Sequence, residues 1–109
     1  MARYKLEKRL PLSLERTIMG LCGDYDRRER VLERSAATPD VLASYERLNR
    51  GIDRAVAEVC EDSIREQIRI DIGSGHGARR TPLYFLGEGT YKSRKRDAKW
   101  RIAEELKLL

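Results

Sequence analysis

Histidine occurs once in this 109-residue chain, cysteine twice and proline three times, and aromatics make up 6%. Each shortage excludes something. His76 stands in a glycine run with no carboxylate or cysteine beside it, so no histidine-based nucleophile pair or metal site is expected. Cys22 and Cys60 are far apart and form no zinc-ligand pattern. Both read as small buried hydrophobes rather than a disulfide. No apolar run approaches the ~20 residues that span a bilayer, and Met1–Arg9 alternates charge with hydrophobe, lacking a signal-peptide core. A cytoplasmic protein without a membrane partner is expected. The carboxylates are interleaved with arginines at helix-face spacing, as surface ion pairs are. No catalytic residue, metal or cofactor is assigned, and an enzyme is not expected.

Charge is what the chain has in quantity, and it is unevenly placed. The whole sequence carries 23 Lys+Arg against 18 Asp+Glu, a net +5. Between Arg79 and Arg101 stand Arg79, Arg80, Lys92, Arg94, Lys95, Arg96, Lys99 and Arg101 against Glu88 and Asp97, a net +6, so the rest sums to −1. Four of these cations, Lys92, Arg94, Lys95 and Arg96, fall at the start of a helix pattern, where the helix dipole disfavours positive charge. An anionic partner offsets that penalty, and nucleic-acid phosphate is the natural candidate. The competing reading is a solvated, salt-bridged basic face.

A single domain is expected, small enough to gain from dimerisation, with scarce aromatics and prolines favouring long helices. Residues 1–12 read as a basic N-terminal arm ending at Pro11. Ser13 is the expected N-cap of a helix over about 13–35, with Leu14, Ile18, Leu21, Tyr25 and Leu32 in the stripe and Arg28 interrupting it. Gly20 and Gly23 weaken this helix but admit close approach of another. Thr38, Pro39 and Asp40 predict a second start, for a helix over about 39–60. Its series Val41, Tyr45, Leu48, Ile52, Ala55 and Val59 averages near 3.5 residues, the period of an antiparallel hairpin or coiled-coil seam. Ser63 and Glu66 fit a capping box for a third helix with Ile64, Ile68 and Ile72 inward. Ile68, Ile70 and Ile72 also alternate like a strand, a weaker reading without a pairing partner.

Gly73–Gly77 reads as a flexible connector, because it lacks both dinucleotide-binding and P-loop spacing. Thr81-Pro82 opens one short apolar turn, Leu83–Leu86. Gly87-Glu88-Gly89 is a turn, and Thr90 is the expected cap of a last helix over about 91–107. A short bracing helix, a glycine turn and a basic helix are what a helix-turn-helix requires. Tyr91, Ala98, Ile102 and Leu106 form its inward side, and Trp100 is expected to pack against the long helices.

The run Thr90-Tyr91, Arg94, Arg96, Ala98, Ile102-Ala103 and Leu106 resembles the closing helix of phage-encoded ArpU/RinA-type transcriptional regulators, small relatives of the sigma-factor region-four helix-turn-helix. Ile52-Asp53-Arg54-Ala55 is similar to a segment that precedes the DNA-binding part of such proteins. The bracing helix departs from that pattern in being barely one turn long. The caps, stripes and turns together predict an all-α chain: a long helical hairpin and dimerisation region over 13–72, then a helix-turn-helix-like unit over 73–109. The resemblance agrees with that. It implies a phage or prophage DNA-binding regulator whose last helix enters the major groove. Lys92, Arg94 and Lys95 are expected at base edges or flanking phosphates, Thr90 and Ser93 on phosphate, and Arg79, Arg80, Arg96 and Lys99 on the backbone. The expected partners are double-stranded DNA and a second copy of the chain, with RNA polymerase a further candidate. The alternative is a helical protein–protein module, such as a phage assembly or adaptor protein, that does not bind DNA.

Overall fold

Thr38 does what its place before Pro39 predicts. Its hydroxyl accepts from the Val41 amide at 3.3 Å and opens the longest helix. The computed structural model describes residues 9–75 and 87–109. Those residues are all-helical, with α1 at Leu12–Gly23, α2 at Tyr25–Arg34, α3 at Pro39–Val59, a 3-10 turn at Asp62–Ile64, α4 at Arg65–Ser74 and α5 at Glu88–Glu105. The expected bracing turn over 81–86, with Arg79 and Arg80, lies outside the described residues.

The first predicted helix is two helices. The chain breaks at Asp24, whose φ of −95° and ψ of 4° fall outside the helical well, directly after Gly23. Ser13 is not the cap. Pro11 takes that position, because its fixed φ pre-sets the entry and Leu12 already starts the helix. The break matters because α1 and α2 pack on different partners, α1 chiefly on α4 and α2 on α3. The hairpin partner of α3 is therefore ten residues long.

Where α1 crosses α4, two glycines bring the backbones together. A Cβ on Gly73 would stand 2.6 Å from the Gly23 nitrogen and 2.7 Å from its Cα. Close approach, expected at Gly20 and Gly23, is met at Gly23 alone, since Gly20 faces open space. Gly73 and Ser74, expected in a loop, are the last residues of α4, and Gly75 ends it with a φ of 75°. The Ser63 capping box is absent, for Ser63 sits inside the 3-10 turn. Arg65 closes the junction instead, donating to the carbonyls of Cys60 at 3.0 Å and Ala57 at 3.3 Å. Ile68 and Ile72 are buried and Ile70 is 43% exposed, which is the helical outcome.

One core collects Leu10, Ile18, Cys22, Ile52, Ala55, Val56, Cys60, Ile68, Ile72, Tyr91, Ala98, Ile102 and Ala103. Leu10, counted in the arm, belongs to it. Arg28 is also inside, 2% exposed, where its Nε donates to Asn49 Oδ1 at 2.7 Å and its Nη2 to the Leu21 carbonyl. Asn49 in turn donates to the Tyr25 carbonyl at 3.1 Å and to Glu29 at 2.8 Å. A buried guanidinium is tolerated because its donors find partners this way. Ile52 and Ala55 of the heptad series are covered within the chain, while Val41 stays 36% exposed.

Candidate nucleic-acid interface

The basic helix α5 is anchored by the side that carries no charge. Tyr91, Ala98, Ile102 and Ala103 are fully buried against α3, α1 and α4. Trp100 and Leu106 pack half-buried on the same core. The Tyr91 hydroxyl donates to Asp71 Oδ2 at 2.6 Å, and Gln67 donates to the other oxygen at 3.0 Å. The start of α5 is thereby tied to α4. Helix α5 begins at Glu88 with Gly87 as N-cap, so Thr90 lies within the first turn and is not the cap. Gly87 starts the helix earlier because its carbonyl already accepts the Tyr91 amide at 3.0 Å.

The predicted contact residues divide into groups. Thr90 and Lys92 are exposed near the beginning of α5. Arg96 is 41% exposed at its side chain and donates to Ser93 Oγ at 3.1 Å, facing Asp97 at 3.7 Å. Arg94 is held in a fork by Glu61, with Nε to Oε1 at 3.0 Å and Nη2 to Oε2 at 2.8 Å. That pair pushes the Glu61 carboxyl below the usual carboxylate range and raises Arg94 above its ordinary value. Lys99 binds Glu15 of α1 at 3.0 Å, and Arg101 binds Glu58 of α3 and Glu105, the latter at 2.8 Å.

Lys95 was expected on an outer face with the other cations. It is half-buried instead, in a cleft of about 290 Å³ shared with Glu15, Met19, Asp71 and Lys99. Loss of hydration there lowers its ammonium pKa, with Lys99 adding repulsion while Asp71 and Glu15 oppose the shift. Lys95 and Lys99 face this way because α1 covers their side of α5. Glu15, Glu58 and Glu61 are the acid partners of Lys99, Arg101 and Arg94 that sequence reasoning missed. They stand 84, 43 and 33 residues from their partners, and no local pattern links them.

The cation and hydroxyl of α5 left most exposed are at its start, Lys92 and Thr90. Thr90 lies in the first turn of α5, where backbone N–H groups and the positive end of the helix dipole point outward. Lys92 is exposed in the turn that follows, and Ser93 and Arg96 pair further along. The thiols offer no reactive centre: burial pushes Cys22 up to about 12 and Cys60 up to about 11. Among the described residues no helix is long and apolar enough to cross a membrane. Comparison with protein-family models, curated proteins and solved structures finds no match to this chain.

Proposed function

We propose that this chain is a DNA-binding transcriptional regulator of the phage type that its last helix resembles. The observation that carries the reading is the concentration of charge, a net +6 between Arg79 and Arg101 on a chain of net +5. Support comes from the way α5 is held: its apolar side is fixed in the core while Thr90 and Lys92 stand exposed at its start. A helix presented by its N-terminal end suits the major groove, with phosphate contacts positioning it and a few side chains reaching bases.

Fluorescence anisotropy of mixed-sequence and phage-promoter duplexes at several salt concentrations tests this. Engagement of roughly four phosphates gives a log–log salt slope of about −3 to −4, and Lys92→Ala reduces it by about one. Salt-insensitive or absent duplex binding overturns the reading. A second reading, a helical protein–protein module without DNA binding, is favoured by the neutralisation of Arg94, Lys99 and Arg101 by acids of the same chain. It predicts that absence. Pairing of half-sites calls for a second copy, and the exposed heptad residue is Val41, at 36%, while Tyr45 already carries Arg27 on its ring and hydroxyl.

A further inference from the structure

Three carboxylates from three different elements lie on the cations of α5, and they are not equivalent. The Lys99–Glu15 pair is 23% and 31% exposed at its side chains, and Arg101, 21% exposed, is shared between Glu105 and an exposed Glu58, whereas Arg94 has Glu61 as its acid partner. Arg94 and Glu61 are 33% and 42% exposed, and their fork opens to water. Glu61 belongs to the extended junction that follows α3 and precedes the 3-10 turn, with φ −60° and ψ 148°. Its neighbour Cys60 directs a thiol to the Arg94 carbonyl at 3.9 Å. Two adjacent residues thus fasten the Arg94 backbone and occupy its guanidinium.

A guanidinium fork presents the same pair of N–H groups to a carboxylate as to a phosphate. Arg94 is therefore shaped for bidentate recognition of an oxyanion and already holds one. The fork makes this pair stronger than an ordinary surface ion pair, but at 33% and 42% exposure water and salt reach both groups, so a second oxyanion can compete for the same N–H groups. We propose that Glu61 is a built-in competitor: its carboxylate fills the anion fork of Arg94, and a polyanion binds by displacing it. The identification of that polyanion as duplex phosphate rests on the DNA-binding reading. The consequence is a wild-type protein that binds with one phosphate contact fewer than its cations allow until the exchange occurs.

The test compares wild type, Glu61→Gln, Arg94→Ala and the double variant by fluorescence anisotropy against a short duplex and against heparin, with circular dichroism melting to show that each folds. Glu61→Gln is expected to tighten binding about two- to fivefold near 0.1 M salt and to steepen the salt slope by about one, with the gain lost when Arg94 is absent. A gain on both probes that needs Arg94 supports the competitor. Duplex binding with no gain, or with a gain that persists without Arg94, overturns the competitor and leaves the DNA reading standing. A gain on heparin with no duplex binding by any variant supports the competitor and removes the DNA reading. Failure of all variants on both probes overturns both.

Discussion

Tyr91 and Asp71 share a buried hydrogen bond of 2.6 Å that joins the start of α5 to α4. Tyr91 is fully buried and Asp71 is 7% exposed, so water cannot substitute for either group without entering the core. Tyr91→Phe keeps the ring and removes the hydroxyl donor from the carboxylate. The expected loss is about 1–3 kcal/mol, read by urea denaturation. An unchanged midpoint would show that the bond contributes nothing net.

The glycines of α1 and α4 predict opposite signs for the same substitution. Gly73→Ala places a methyl group against the Gly23 nitrogen at 2.6 Å and the Cys22 carbonyl carbon at 2.8 Å, so the helices must separate. A loss of about 1–3 kcal/mol is expected. Gly20→Ala meets nothing within 4 Å and gains helix propensity, up to about 1 kcal/mol. Calorimetric melting of the two variants should bracket the wild type, and a shift of both in one direction refutes the crossing geometry.

Arg28 is expected to be the most sensitive charged residue of α2. Arg28→Met withdraws the donor from Asn49 Oδ1 and from the Leu21 carbonyl, at a cost of about 2–4 kcal/mol. Arg27→Ala, one residue away on the exposed side, should shift the denaturation midpoint little. Equal effects would mean that Arg28 is not buried as described.

Alkaline pH should destabilise the fold through its thiols. Burial raises Cys22 to about 12 and Cys60 to about 11, above the usual thiol range. Below the unfolded pKa of about 8.5 the contribution is fully present, and it is lost as pH rises through the folded values. Between about pH 9 and 11 each thiol therefore costs roughly 1 kcal/mol of stability per pH unit. Tyr25, pushed up by burial and by its bond to Asp53, adds the same sign. Melting temperatures at pH 8 and 10.5 should diverge less for Cys22→Ala than for wild type, and parallel falls would contradict the assignment.

The parts of the fold legible in sequence were those written by neighbours in the chain. Thr38, Pro39 and Asp40 mark the start of α3 because capping acts within one turn. The inward residues of α5 follow from helical spacing, and Tyr91, Ala98 and Ile102 are all buried. The break at Asp24 was not legible, since Leu14, Ile18, Leu21 and Tyr25 keep helical spacing across it. Arg28 looked like an interruption because its partner Asn49 is 21 residues away on another helix. The cations of α5 looked outward for the same reason. Their acids sit on α1, on α3 and beyond it, and spacing within one helix carries no record of what packs on it.

Helix α5 places four side chains in a core otherwise built from residues before position 73. During synthesis Ile52, Ile68 and Ile72 emerge from the ribosome long before Tyr91, Ala98 and Ile102 that cover them. Glu15, Glu58 and Glu61 meet the cations of α5 where it lies on this core. The helix is cationic and the acids that meet it come from α1, α3 and the junction after α3, so charge attraction and apolar burial favour the same docked position. The cations of α5 thus serve the docking of the helix that carries them.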